Sequence, residues 1–290
     1  MFSVDVILQG LITGILMGFI YALITSGFTI IQGVMNVVNF AHGTFVMIGM
    51  YIAYSLGIIY GIDPFASVGA AALFMFAFGV VIYFLAIRPI LGQPQYAQMM
   101  MTFGLLIVIE NVANWIYGGD FRTLTTSYTT SSIVLGSVRI SMARLFAAGG
   151  AVAILAALFL FLYRTDLGRA VRACADEPEG AQGVGINPNK VFYIAFAGGS
   201  ALAGIAGSMV MPFQVCSPSS GVDAVIKAFV IIVVGGLGSV PGALVGGLII
   251  GVTESVTSVL WSPAFANVVV FAILITVVAW KPSGVFSRAR

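Results

Sequence analysis

The sequence predicts an all-α, polytopic membrane protein with about eight transmembrane helices. Three observations predict it. Only 8% of the residues are charged, whereas a soluble domain of this length carries about 25%. Hydrophobic residues make up 60% and mean hydropathy is +1.10. Apolar runs of about 20 residues, the length that crosses the hydrocarbon core as a helix, recur from end to end. The polar segments between them are too short to build a core of their own, so residues 1–290 read as one membrane-embedded domain.

Residues 6–31 form the first span. No positively charged stretch precedes it and no clear small-residue cleavage site follows it, so it reads as a span and not a secretory signal. Gly10, Gly14 and Gly18 recur every four residues, a smooth stripe for a closely packed helix. Residues 32–39 interrupt the run with Gly33, Asn36 and Asn39, and 40–60 are apolar again apart from His42. Asp63-Pro64 makes a turn, and 65–87 span until Arg88-Pro89 ends the helix. Residues 99–117 span with Glu110 inside them. The Thr/Ser-rich loop 118–141 contains a short alternating stretch, 132–140, that reads as a hairpin. Residues 142–163 span, 164–190 are charged, 191–211 are a Gly- and Ala-rich span and 212–221 a loop. Residues 222–260 are too long for one span at about 1.5 Å per residue. They are broken at GGLGSVPG, 235–242, which predicts two helical pieces. Residues 265–280 are the last span, followed by a short basic tail with Lys281, Arg288 and Arg290.

Lys and Arg set the orientation. With Arg88, the 164–190 segment and the C-terminal tail inside, the cytoplasmic side holds most of the positive charge. The other side keeps Arg122, Arg139 and Arg144, with Lys227 near it. This places the N-terminus outside and the C-terminus in the cytoplasm, and requires 222–260 to cross twice or re-enter. Cys174 and Cys216 then fall in loops on opposite faces and stay unpaired.

Enzyme chemistry finds no support. No Lys follows a Gly, so the phosphate-binding loop is absent and the chain has no ATP site of that kind. One His and two distant Cys build no metal site. No basic patch with interleaved aromatics points to nucleic acid. Polar residues do interrupt two membrane runs: GVMNVVNFAHG at 33–43, with Asn36, Asn39 and His42, and GGLGSVPGALVGG at 235–247, with Gly235, Gly236, Gly238 and Pro241. Unwound backbone at membrane depth lines a cavity or is buried in protein. Two glycine-broken helices, one in each half, fit an internally inverted repeat with a translocation path at the breaks; surface connections and close helix packing fit as well. Intramembrane charges face a cavity or a partner. Lys227 and Glu254 lie on the two arms of the second break, where they can pair, or Lys227 can instead snorkel to the interface; Glu110 is a candidate for the path.

The charged segment 164–190 holds four of the twelve Lys and Arg residues and four of the ten Asp and Glu residues. Arg169, Arg172 and Asp176 recur at helical spacing. Pro178 can start a second short helix, which Gly183 and Gly185 end. A short Ala-rich helix with glycine punctuation reads as a docking surface more than as an ordinary solvated loop.

NFAHG at 39–43, TDLGRAVRACADEPEGAQGVGIN within the charged segment, and KAFVIIVVGGLGSVPGALVGGLIIG resemble the permeases of branched-chain amino acid ABC importers, the LivH type in particular. The three motifs stand in the family's order, and the resemblance covers essentially the whole chain. The resemblance implies a permease in a bacterial inner membrane, paired with a second, LivM-like permease. It implies two cytoplasmic ATPase subunits, LivG- and LivF-like, that carry ATP and Mg, and a periplasmic binding protein that delivers leucine, isoleucine or valine. This chain itself then binds no cofactor. The family's loop inserts a coupling helix into the ATPase; Gly168, Arg169, Ala170, Arg172, Ala173, Asp176, Ala181 and Gly185 match that loop. Gly180 stands where alanine is usual, and Glu110 where an uncharged polar residue is expected. Related importers of urea, short amides, polyamines or other amino acids share the scaffold. An ion-coupled transporter using Glu110 and a passive channel are the readings from other classes.

Overall fold

The computed structural model describes residues 4–281 and Gly284; Arg288 and Arg290 of the expected basic tail lie outside the described residues. Eleven α-helices follow one another among them: α1 (Val4–Met35), α2 (His42–Tyr60), α3 (Val68–Ile82), α4 (Gln95–Tyr117), α5 (Met142–Arg164), α6 (Asp166–Asp176), α7 (Pro178–Gly183), α8 (Pro188–Val210), α9 (Ser220–Gly235), α10 (Val240–Leu260) and α11 (Pro263–Trp280). The sheet content is one antiparallel hairpin, β1 (Ser132–Leu135) with β2 (Val138–Ser141), in which Ile133 faces Ile140. Among the described residues eight helices are long and apolar enough to cross a membrane: α1 to α5, α8, α10 and α11, with α3 extended to Ile90. The chain is an all-α, multi-pass membrane protein. Helix α9 has 16 residues, about 24 Å, short of the roughly 30 Å hydrocarbon core.

Helix α1 is the central element. It packs on α10, α8, α5 and α9, and Ile20, Leu23, Phe28 and Ile31 are buried in the core it shares. Its glycine stripe faces α10 running the other way. A Cβ on Gly14 would stand 2.6 Å from Val252 Cα, and one on Gly18 2.8 Å from Leu248 Cα. Contact that close between backbones replaces the hydrophobic drive that lipid cannot supply. Helix α8 uses the same device on α2, with Gly207 against Val46 O.

The bundle has two distinct ends. At one, Gln9 exchanges two hydrogen bonds with the backbone of Arg139 (2.7 and 2.8 Å), which ties the hairpin to the start of α1. Arg122 and Cys216 pair through both backbone N–H groups (2.8 and 2.9 Å), joining the 118–131 loop to the α8–α9 connection. Tyr128 donates to Asp63 and brings the α2–α3 turn to this end. Helix α5 runs from the hairpin to α6 and α7, which form the opposite end.

Two expected boundaries move. Gly33 lies inside α1, which continues to Met35, so the first break covers residues 36–41. The second covers 236–239, and Gly242 to Gly247 belong to α10. In both cases close packing of the glycine, and not helix termination, accounts for its presence.

Candidate coupling loop and translocation path

The first break begins at Asn36, whose φ of 53° is the one positive value on a non-glycine residue among the described ones. Asparagine tolerates this left-handed geometry better than most side chains. Residues 37–39 are then buried without regular structure. Protein groups satisfy part of the unwound backbone, as burial in a membrane requires. Thr102 Oγ1 donates to Val38 O at 2.9 Å, and Asn39 Oδ1 accepts from Ala41 N at 3.1 Å. Gln32 Nε2 reaches Asn36 Oδ1 at 3.4 Å. His42 is fully buried at the start of α2, and its Nε2 donates to Ile24 O at 2.9 Å. It stacks on Phe28 with ring centroids 5.3 Å apart. His42 therefore pins the start of α2 to the middle of α1.

Polar atoms are left over around this break. Thr25 Oγ1, Thr29 Oγ1, Gln32 Oε1, Asn39 Nδ2 and His42 Nδ1 are buried without a hydrogen-bond partner. Thr25, Thr29 and Gln32 recur at helical spacing on one face of α1. A buried hydroxyl in a helix commonly bonds the carbonyl four residues back, as Ser26 does to Ala22 O at 2.7 Å; Thr25 and Thr29 do not. An unsatisfied buried group of this kind costs about 1–3 kcal/mol.

The second break is made of glycine geometry. Gly236 has φ 100° and Gly238 φ 77°, values open to glycine at little cost. Ser239 Oγ accepts from Gly242 N at 3.1 Å and caps α10. Pro241 stands in the first turn of α10, where a missing N–H leaves nothing unsatisfied. The second break packs on the end of α1 just before the first: a Cβ on Gly33 would meet Gly238 Cα at 3.1 Å. Gly235 packs on Gly242 in the same region, and Gly284 on Gly236.

Glu110 is elsewhere. Thr102 touches the first break, but Glu110 lies eight residues further along α4, about 12 Å. It is half-buried and makes no hydrogen bond or ion pair among the described residues. Of the two readings for Lys227 the structure shows the pair with Glu254, with Nζ 2.6 Å from Oε1, and Lys227 also donates to Tyr21 OH at 3.1 Å.

The charged segment forms two helices across an extended Glu177. Thr165 Oγ1 caps α6 by accepting from Gly168 N at 3.0 Å. Gly168 is where α6 folds back on α5: a Cβ there would stand 2.2 Å from Phe161 O. Val171 and Cys174 are buried, Ala170 and Ala173 are partly buried, and α6 packs on the ends of α1, α5 and α8. Arg172 lies over the Tyr163 ring at 4.4 Å, and Arg169 pairs with Asp166 on the surface. Asp176 and Gly185 are exposed, Gly185 with φ 88°, while Ala181 is buried. Leu167 and Val184 keep large apolar side chains exposed on this charged loop. Burial raises the pKa of the Cys174 thiol in α6. Burial also pushes the Cys216 thiol, in the α8–α9 connection, up to about 12.

Sequence reasoning missed Thr25, Thr29 and Gln32. A threonine in an apolar helix carries no signal until its carbonyl partner is known to be absent. It also missed Asp223 and Gln214, which line one cleft with Lys227; the i, i+4 spacing of Asp223 and Lys227 in an apolar run was the available signal.

Residues 10–278 match the family model described as the permease component of branched-chain amino acid transport systems. The chain is 33% identical to the high-affinity branched-chain amino acid transport system permease protein BraD of Pseudomonas aeruginosa, over 97% of this chain and 96% of that one. It is 33% identical to the LivH permease protein of Escherichia coli K12 over the same shares. It is 24% identical to the LivM permease protein of Salmonella typhimurium, over 94% of this chain and 69% of that one. No solved structure is a significant match. An α-helical bundle broken at two meeting points, matched from α1 to α11, belongs to the family of branched-chain amino acid transport permeases.

Proposed function

We propose that this chain is a permease subunit of an ATP-driven importer for leucine, isoleucine and valine. The observation that carries the reading is its likeness, over nearly its whole length, to permeases named for high-affinity branched-chain amino acid transport. The chain works beside a second permease of the LivM kind in the inner membrane of a bacterium. Its N-terminus and hairpin face the periplasm, where a binding protein delivers the amino acid. The α6–α7 end faces the cytoplasm and docks on two ATPase subunits that hold ATP and Mg²⁺; this chain binds no cofactor of its own.

The mechanism is alternating access. Closure of the ATPase pair pushes on Arg169, Asp176 and the exposed apolar side chains of Leu167 and Val184. Helix α6 packs on α1, α5 and α8, so the push reaches α1, which ends at the first break and meets the second where Gly33 packs on Gly238. Gly33, Gly236 and Gly238 let the helix ends slide at the cytoplasmic side of the path.

The test is reconstitution of the complete transporter in proteoliposomes with its binding protein outside and ATP inside. Leucine, isoleucine and valine are expected to accumulate and to stimulate ATP hydrolysis, with the ion gradients collapsed. A complex that purifies without ATPase subunits, or that accumulates none of the three, removes this reading.

A further inference from the structure

A cleft lies at the hairpin end of the bundle, between α1, α2 and α9 and beneath the α8–α9 connection. Its lining includes one acid and one base, Asp223 and Lys227. They stand one turn apart on α9, yet make no ion pair with each other among the described residues. Lys227 is held by Glu254 and Tyr21, which use two of the three donors of its ammonium. Asp223 has no hydrogen bond or ion pair among the described residues and is exposed. Thr25 also lines the cleft, fully buried, with its hydroxyl unpartnered, and Gln214 adds an amide from above. Tyr21 and Ser220 add hydroxyls, and Ile24, Val46, Met50, Val210 and Ile231 make an apolar wall.

We infer that this cleft is a binding site for an aliphatic amino acid as a zwitterion. The ammonium goes to Asp223, the carboxylate to the free donor of Lys227 and the hydroxyl of Thr25, and the side chain to the aliphatic wall. A separated acid and base match the two charges of a zwitterion. Glu254 neutralises Lys227 while the site is empty, so the cation does not stand alone in an apolar bundle. The cavity is about 40 Å³, room for water and not for an amino acid, so this conformation is the closed one. Helix α9 is the wall that can move, since it ends at the left-handed Gly236 and Gly238. The inference rests on the transport reading above and assigns that transport a site within this subunit.

The test uses the complete transporter in membrane vesicles carrying Ala224→Cys, a substitution in the cleft wall. Cys174 and Cys216 are buried and give little background. Labelling of the introduced thiol by a small methanethiosulfonate is followed with and without ligand. Leucine at ten times its half-protecting concentration is expected to slow labelling about tenfold. Isoamylamine, which lacks the carboxylate, and 4-methylpentanoate, which lacks the ammonium, are expected to leave it unchanged. Lys227→Met in the same background abolishes protection, and Lys227→Arg keeps it. A merely structural Lys227 would not separate leucine from its one-headed analogues. Absence of labelling, absence of protection, or equal protection by either analogue overturns the site. If branched-chain uptake persists in that case, the transport reading stands and only the cleft falls. If another aliphatic zwitterion protects while no branched-chain amino acid is taken up, the substrate assignment falls and the cleft stands.

Discussion

Gly33 and Gly238 meet backbone to backbone, so that a Cβ on Gly33 would stand 3.1 Å from Gly238 Cα. One sits in the last turns of α1, the other in the gap between α9 and α10. The contact joins the end of α1, just before the first break, to the second break and leaves no side chain between them. Gly238 also has φ 77°, a conformation that costs an L-residue about 1–2 kcal/mol. Gly238→Ala is therefore expected to lower stability by about that amount and to slow uptake. Gly33→Ala needs only a few tenths of an ångström of adjustment and is expected to be milder. Thermal unfolding of the purified complex, read beside uptake, checks the order; equal effects would mean that backbone geometry at Gly238 is not what matters.

Gly168 and Gly180 lie in the same charged loop and make opposite predictions. A Cβ on Gly168 would stand 2.2 Å from Phe161 O, on backbone that cannot give way. Gly168→Ala is expected to shift α6 off α5 and to uncouple ATP hydrolysis from uptake. A Cβ on Gly180 meets only the flexible Glu177 side chain, 3.2 Å away. Gly180→Ala is expected to firm α7 by up to about 1 kcal/mol, the helix-propensity difference, and to leave coupling intact. The ratio of substrate-stimulated ATP hydrolysis to uptake, measured for both variants, decides. A coupled Gly168→Ala protein would remove α6 from the coupling role.

Much of this architecture could be read from the chain because lipid imposes a simple rule, about 20 apolar residues per crossing. The hairpin and the two-helix charged loop followed from local patterns of alternation, proline and glycine, while the isolated charges of Lys227 and Glu254 left pairing and snorkelling both open. Helix ends at glycine were harder. Gly33 looks like a terminator and is a packing residue, because its contact with Gly238 depends on where the other break falls. The cleft was hidden for the same reason. Asp223 and Lys227 announce themselves as charges, but Thr25 becomes part of a site only once its hydroxyl is seen to lack a partner.

Glu110 tests the ion-coupled alternative directly. It is half-buried on α4, about 12 Å beyond the residue that touches the first break. It makes no hydrogen bond or ion pair among the described residues, so its loss leaves no such partner stranded. Glu110→Gln is expected to retain uptake within about twofold of the parent, a free-energy change of less than 0.5 kcal/mol by the usual conversion. Uptake is expected to remain insensitive to a protonophore while internal ATP is maintained. Loss of uptake in Glu110→Gln together with protonophore sensitivity would bring the carboxylate into the path and make the transporter proton-coupled.

Both thiols report on packing at opposite ends of the bundle. Burial raises the pKa of Cys174, and that of Cys216 to about 12 with a smaller opposing effect from Tyr51. The thiolate is the reactive form, so neither cysteine is expected to react with N-ethylmaleimide at pH 8 in the folded complex, and both are expected to react after denaturation. The sign of the pH dependence follows. Between the ordinary thiol value and about 12, the folded chain keeps the Cys216 proton while the unfolded chain has lost it. Unfolding therefore releases a proton, and stability falls as pH rises through that window. Cys216→Ala removes this contribution, so its unfolding temperature is expected to decline less steeply with pH than the parent's. Mass spectrometry of labelled peptides and unfolding curves taken above pH 9 measure the two effects. Labelling of Cys216 at pH 8 before unfolding would mean that the Arg122–Cys216 bridge opens in the working protein.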